Sequence, residues 1–173
     1  MMTDSVLSSE LVDLARRVVE ENRRAGRTFA LAESCTGGLV SAAITEIPGS
    51  SEVFEASFVT YSNELKQELL KVSQDVLETF GSVSIATAWG MAQGALKLTH
   101  AHVAVAITGI AGPGGGTEQK PVGTVVFARA ERGGSPDNIA ADLKKFEDNG
   151  RSDIRLQVAL CALELLLPES EGP

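Results

Sequence analysis

One short stretch constrains the fold of this chain most, because it joins a strand pattern to a helix pattern through a turn of small residues. Residues 28–32 form an apolar segment typical of a strand, and residues 39–44 predict the first turns of a helix. Unpaired N–H groups and the positive end of the helix dipole lie at such a turn, so it can hold an anion or a developing oxyanion. A plain helix cap by one of its hydroxyls is the alternative. The turn is Glu33-Ser34-Cys35-Thr36-Gly37-Gly38.

The rest of the chain continues to alternate between strand and helix patterns. Strands are predicted at residues 54–61, 102–108 and 123–130, with a possible edge strand at 141–146. The second of these is almost continuously apolar, which is typical of a buried central strand. This order predicts an α/β protein, a three-layer α/β/α sandwich with a mixed sheet. Apolar spacing and breakers predict helices at 7–25, 39–47, 65–70, 75–80, 88–96 and 154–165.

Length and composition limit the classes of function. A chain of 173 residues without repeats or linkers predicts one domain, residues 1–173, with a flexible polar tail from about residue 168. The net charge of -8 argues against a broad nucleic-acid surface. No apolar run approaches a membrane span, and the first five residues lack the pattern of a signal peptide, so we expect a cytoplasmic protein without membrane partners. Cys35 and Cys161 have no metal-binding spacing, and no metal is expected.

Three predicted strands are each followed by residues that could take part in catalysis or ligand binding. Ser34 follows the first strand, Tyr61-Ser62-Asn63 follows the second, and Thr108 with the glycine-rich loop 109–116 follows the third. Parallel neighbours would bring these ends together at one edge of the sheet, where ligands of α/β proteins bind. The glycine spacing fits neither the P-loop nor the dinucleotide fingerprint, and an ordinary tight turn is the alternative reading of the loop.

A serine nucleophile needs a proton acceptor nearby. His100 and His102 precede the central strand and therefore lie at the wrong end of it. Lys66 and Tyr61 remain, since a buried lysine can act as a base and a phenol can relay a proton or donate to an oxyanion. On residue type alone, an exposed helical lysine and an aromatic side chain at the core edge are the favoured readings.

Two further groups compete for roles at this edge. Cys35 is a rival nucleophile, because a thiol at a helix N-terminus can have a lowered pKa. Its side chain is expected to point away from that of Ser34. Arg151 and Arg155 lie at the start of the last helix, where either could contact a phosphate or simply be solvated.

Four motifs in this order resemble the CinA C-terminal domain family, and the resemblance extends from the first helix to the last. Two local departures are Ile85, where the family usually has an acidic residue, and the order Asn149-Gly150-Arg151 before the last helix. The four motifs are Ala32-Glu33-Ser34-Cys35-Thr36-Gly37-Gly38, Phe58-Val59-Thr60-Tyr61-Ser62-Asn63-Glu64 with Lys66, Thr108-Gly109-Ile110-Ala111-Gly112-Pro113, and Lys120-Pro121-Val122-Gly123-Thr124-Val125.

The resemblance implies a mixed, mostly parallel sheet of five strands. It also implies hydrolysis of the carboxamide of nicotinamide mononucleotide to nicotinic acid mononucleotide and ammonia, without a cofactor or a metal. Ser34 would be the nucleophile, and Lys66 and Tyr61 would activate it. Contacts to a phosphorylated pyridine nucleotide are then expected from Glu33, Cys35, Thr36, Gly37, Gly38, Thr108, Gly109, Ile110, Ala111, Gly112 and Arg151.

Other readings stay open at this point. The same pocket could bind a nucleotide without hydrolysis, in a regulatory or partner-recruiting module, or it could act on another amide. The set of Ser34, Tyr61 and Lys66 favours an enzyme, because a binding pocket does not need it. Apolar helix faces are compatible with a homodimer or a higher homo-oligomer, and equally with packing in the core.

Overall fold

The computed structural model describes residues 5–169, and it has the predicted alternation of strands and helices. The expected tail from about residue 168 lies outside the described residues except for Pro168 and Glu169, and so do four of the five residues that bear on a signal peptide. The elements are α1 (Ser9–Arg24), β1 (Phe29–Glu33), α2 (Leu39–Thr45), a 3-10 turn (Ser50–Glu52), β2 (Phe54–Val59), α3 (Asn63–Glu68), α4 (Gln74–Phe80), α5 (Ile85–Leu98), β3 (Val103–Gly109), β4 (Thr124–Glu131), β5 (Ala141–Lys145) and α6 (Arg151–Leu165).

The five strands form one sheet in the order β2-β1-β3-β4-β5. Strand β1 pairs in parallel with both β2 and β3, whereas β4 is antiparallel to β3 and to β5. Four strands therefore run in one direction and β4 alone runs in the other. The predicted mixed, mostly parallel sheet of five strands is confirmed.

Strand alternation divides the core between the two faces of the sheet. Phe29 and Leu31 of β1 pack with α1, α2 and α6, whereas Ala30 and Ala32 face the layer that contains α5. Fully buried alanines of α5, including Ala92 and Ala95, let this helix pack closely on the sheet. The predicted three-layer sandwich is confirmed, and the same alternation determines the face on which each residue at a strand end projects.

Each of the short helices α3 and α4 begins at a serine that caps it. Ser62 accepts a hydrogen bond from the N–H of Leu65, and Ser73 accepts one from the N–H of Val76. Cap Ser62 fixes where α3 starts after β2, and this start sets the position of Lys66. No helix within residues 5–169 is long and apolar enough to cross a membrane.

Candidate active site

Ser34 continues β1 into the turn that precedes α2. Its N–H donates to the carbonyl of Ile107 at 3.0 Å, which extends the pairing of β1 with β3 by one residue. Because side chains alternate along a strand, Ser34 projects to the same face as Ala32, toward α3 and α5. Cys35 lies in the opposite core cluster with α1, α2 and α6, as the sequence predicts.

Lys66 of α3 lies against Ser34. Its side chain is 2% exposed, and its Nζ donates to Ser34 Oγ at 3.2 Å and to the carbonyl of Thr60 at 2.8 Å. Burial lowers the pKa of the Lys66 amine, and the charges of Cys35 and Glu64 oppose this shift only in part. The structure therefore removes the alternative reading of Lys66 as an exposed helical lysine. A buried amine in contact with a hydroxyl has the geometry of a general base.

A cavity of about 250 Å³ opens beside this pair at the carboxyl ends of β1 and β3. The three strand ends that the sequence singled out all contribute to its wall, and the convergence of these ends is confirmed. Among the residues that the structure describes, its lining contains two cationic side chains and no carboxylate. The lining residues are Ser34, Cys35, Tyr61, Asn63, Lys66, Ser82, Val83, Thr108, Gly109, Ile110, Ala111, Gly112, Gly114, Gly115 and Arg151.

Arg151 joins three separate segments at the cavity mouth. Its Nη1 donates to the carbonyl of Gly112 at 2.7 Å, and its Nη2 donates to the Tyr61 hydroxyl at 2.8 Å. Tyr61 is 60% exposed, and its recorded partner is this guanidinium rather than Ser34. Arg155, one turn further along α6, instead donates to the carbonyls of Cys35 and Thr36 and so supports the turn from outside the cavity.

Glu33 has a structural role instead of the expected contact with substrate. The side chain is fully buried and does not line the cavity. A carboxylate directly before a helix is favourably placed against its unpaired N–H groups, and this is a signal that the sequence already contained. The two oxygens accept hydrogen bonds from the Thr36 hydroxyl, from the N–H groups of Gly38, Val40 and Ser41, and from the Ser57 hydroxyl.

Thr36, Gly37 and Gly38 are likewise absent from the cavity wall, contrary to expectation. Gly37 donates its N–H to the carbonyl of Ser34 at 2.9 Å, and Gly38 donates to Glu33, so both amides are used within the turn. Gly37 and Gly38 have φ values of 59° and 95°, a left-handed conformation that glycine adopts without strain. These glycines therefore shape the turn and do not serve as amide donors to a ligand.

The free amides of the turn lie directly after Ser34. Within residues 5–169, the N–H groups of Cys35 and Thr36 donate to no other residue. The N–H of the residue after a nucleophile in a strand-to-helix turn is a common oxyanion donor. Of these two residues only Cys35 lines the cavity, so within this turn its amide is the free donor that a ligand in the cavity can reach.

The connection between α4 and α5 contributes a wall that sequence reasoning missed. Ser82 and Val83 line the cavity, and the Thr108 hydroxyl donates to the carbonyl of Ser82 at 2.7 Å. Asn63, Gly114 and Gly115 also line it; they belong to the strand ends that the sequence indicated, although they are not among the expected substrate contacts. No local signal marks Ser82, since its place depends on a contact with a strand 26 residues further along the chain.

Metal ligation finds no support in the described part of the chain. Within residues 5–169, no group of three or more His, Cys, Asp or Glu side chains is arranged to hold an ion. The chemistry that the site offers is that of its hydroxyl, amine and amide groups.

The thiol beside Ser34 is unsuited to nucleophilic attack. Burial raises the pKa of Cys35 to about 11, although the charges of Arg155 and Lys66 favour the thiolate. If Ser34 is the nucleophile of a reaction at this cavity, we expect Cys35→Ala to keep its rate within about threefold of the unchanged protein, since at neutral pH the thiol stays protonated. Initial rates of the hydrolysis that the family resemblance implies measure this, and a loss comparable to that of Ser34→Ala would contradict it.

Comparison with known proteins agrees with this architecture. The model of the CinA C-terminal domain matches residues 11–169. The chain is 44% identical to the nicotinamide-nucleotide amidohydrolase PncC of Escherichia coli (strain K12), over 95% of both chains. It is 48% identical to a CinA-like protein of Endomicrobium trichonymphae over 90% of this chain, but covers only 35% of that relative.

Solved structures show the same fold. The competence/damage inducible protein CihA from Agrobacterium tumefaciens superimposes with a TM-score of 0.88 and 46% identity, over 94% of this chain and 96% of that one. A CinA superfamily protein from Klebsiella pneumoniae superimposes with a TM-score of 0.84 and 33% identity, over 90% and 94% of the two chains. With the match of the family model, these likenesses show that the chain belongs to the CinA C-terminal domain family.

Proposed function

We propose that the chain is an amidohydrolase that converts nicotinamide mononucleotide to nicotinic acid mononucleotide and ammonia. The observation that carries this proposal is the buried amine of Lys66, 3.2 Å from the hydroxyl of Ser34 at the wall of a cavity. The likeness to PncC of Escherichia coli, which covers 95% of both chains, supports the choice of substrate.

In the first half of the reaction, Ser34 Oγ attacks the amide carbon while Lys66 takes the hydroxyl proton. The oxygen of the amide becomes an oxyanion, and the free N–H group of Cys35 at the cavity wall is its donor. One such donor contributes about 3 kcal/mol of transition-state stabilisation. Collapse of the intermediate breaks the C–N bond, and Lys66 returns its proton to the departing nitrogen, which leaves as ammonia.

In the second half, water attacks the ester that joins Ser34 to the pyridine acyl group. Lys66 accepts a proton from this water, and the second intermediate collapses to the carboxylic acid while Ser34 regains its proton. One water is consumed and one ammonia is released for each amide. Tyr61, which is held by Arg151, borders the mouth of the cavity and fits a role in binding rather than in proton transfer.

The charge of the cavity favours a substrate that carries an anion. Arg151 is a permanent cation in the lining, Lys66 is a second basic group, and no carboxylate is among the described lining residues, although the whole chain has a net charge of -8. The guanidinium of Arg151 binds Gly112 and Tyr61 at the mouth of the cavity, and it carries further N–H donors for a phosphate. We place the phosphate of the mononucleotide at Arg151 and the amide at Ser34.

Replacing Arg151 tests this orientation. We expect Arg151→Ala to raise KM for the mononucleotide by about 10-fold to 100-fold, because hydrogen bonds to charged groups are strong. KM for nicotinamide riboside, which lacks the phosphate, should change by less than about threefold. Arg151→Lys is the matched variant and should recover only part of the affinity, because an ammonium lacks the planar fork. Equal losses for both substrates would contradict the assignment.

A direct assay tests the proposed function as a whole. The purified protein is incubated with nicotinamide mononucleotide, with nicotinamide riboside or with nicotinamide, and ammonia release is followed. We expect turnover of the mononucleotide and much slower release from the other two. Binding of the mononucleotide without ammonia release would favour a binding module, and faster release from another amide would change the substrate.

A further inference from the structure

Thr60 carries an unexplained polar group beside the Ser34–Lys66 pair. Its side chain is fully buried, and its Oγ1 has no hydrogen-bond partner among the described residues. Buried hydroxyls nearly always have partners, and one without a partner loses the stabilisation that water gave it. Thr60 does not line the cavity, so substrate does not explain this hydroxyl.

The position of Thr60 is determined by the sheet. Its N–H donates to the carbonyl of Glu33 at 3.0 Å, which continues the pairing of β2 with β1. Phe58 and Ala32 are partners in that register and face the same layer. Two residues further along each strand, alternation brings Thr60 and Ser34 side by side on that face.

Lys66 has the complementary feature, which is more N–H donors than acceptors among the described residues. Its Nζ has two recorded acceptors, Ser34 Oγ and the carbonyl of Thr60. A charged amine has three N–H donors, so one of them is left without an acceptor in the described part of the chain. A neutral amine that receives the Ser34 proton has two donors and only the carbonyl of Thr60 to accept them. In either state, one N–H of this buried amine has no acceptor among residues 5–169.

We propose that the hydroxyl of Thr60 is the missing acceptor and that Thr60 is a positioning residue for Lys66. Rotation about χ1 of Thr60 moves Oγ1 between staggered positions while its carbonyl stays on Nζ. When both oxygens of Thr60 accept hydrogen bonds from the amine, its third tetrahedral position points toward Ser34. That position is an N–H in the charged amine and the lone pair in the neutral amine. This inference rests on the proposed function only in so far as Lys66 is the base.

The kinetic test replaces Thr60 by valine, which has the same shape and no hydroxyl. We expect kcat for the mononucleotide to fall about 10-fold to 100-fold, with KM changed less than about twofold. The charged form of Lys66 loses an acceptor, so the amine becomes less basic. The acidic limb of the kcat/KM profile should therefore move about one pH unit lower. A merely structural role for Thr60 would leave this limb in place.

The other charged or titratable groups near Lys66 are unchanged in this variant. They are the Cys35 thiol from the turn, Glu64 from the same helix, and Tyr61 and Arg151 from the cavity wall. A second pair of variants separates the hydroxyl from the methyl group. Thr60→Ser keeps the hydroxyl, so the acidic limb of its kcat/KM profile should lie at the same pH as in the unchanged protein. Thr60→Ala lacks the hydroxyl, so its acidic limb should move to lower pH. This pair also decides the matter if Thr60→Val does not fold.

A measurement without turnover separates this inference from the proposed function. The chain has six lysines, so selective ¹³C labelling at lysine Cε gives few signals, and Lys66→Met identifies the one from Lys66. Its titration midpoint should fall in Thr60→Val and not in Thr60→Ser. An unchanged midpoint in Thr60→Val and Thr60→Ala would overturn the inference, even if the protein hydrolyses the mononucleotide. A lowered midpoint in a protein that releases no ammonia would refute the proposed function alone.

Discussion

Ser34→Ala should reduce ammonia release from nicotinamide mononucleotide by about 10⁴-fold or more, because removal of a nucleophile abolishes the covalent route. The lost oxygen is the one that lies 3.2 Å from Lys66 Nζ, and no other hydroxyl has that contact among the described residues. Initial rates with a coupled ammonia assay measure the effect. Residual activity within about tenfold of the unchanged protein would show that Ser34 is not the nucleophile.

Two controls make this result specific. The Kd of Ser34→Ala for the mononucleotide should remain within a few-fold of that of the unchanged protein, since the mutation removes one small group from a cavity of about 250 Å³. Cys35→Ala, one residue further along, tests the neighbouring side chain in the same turn. If Cys35→Ala lost activity and Ser34→Ala did not, the thiol would be the nucleophile.

Lys66→Met should lower kcat by about 10³-fold or more while the fold is retained. A thioether cannot accept the Ser34 proton, and a general base accelerates a reaction by about 10²-fold to 10⁴-fold. The variant also loses the group that protonates the departing nitrogen, so the loss of rate should lie in the upper part of this range or beyond it. Methionine has a similar unbranched chain and fills the space of the lysine stem. Activity within tenfold of the unchanged protein would remove Lys66 from the mechanism.

The stability of Lys66→Met should move in the opposite direction to its activity. Burial lowers the pKa of Lys66 in the folded state below its ordinary value of 10.5. Between the lowered pKa and that value, the unfolded chain binds more protons, so the stability of the unchanged protein rises with pH. Lys66→Met removes this dependence and should keep or raise the urea midpoint at neutral pH. A lower midpoint would show that the amine stabilises the fold.

The layered architecture could be predicted because it depends on local patterns. The apolar run of β3 and the capped short helices appear in the sequence at the residues where the structure has them, within a few positions. Alternation along β1 also predicted that Ser34 and Cys35 would separate, since neighbouring side chains of a strand project to opposite faces. The wall formed by Ser82 and Val83 had no such signal.

Residue type alone placed Glu33 and the two glycines that follow Thr36 at the site, whereas in the structure none of them lines the cavity. An acidic residue next to a candidate nucleophile favours a site residue, but the N-terminus of the helix that begins six residues later uses its carboxylate fully. The outcome depends on which donors the turn leaves unpaired. Hydrogen-bond accounting of this kind needs the coordinates of the turn.

The sequence by itself determined the class of fold, the edge of the sheet at which the candidate site residues lie and the family to which the chain belongs. Tertiary structure alone decided that Lys66, 32 residues from Ser34, is buried against it and that Arg151, 90 residues from Tyr61, binds its hydroxyl. The physical reason is that strand and helix patterns arise from neighbours along the chain. The burial and basicity of an amine depend on distant segments that exclude water from it.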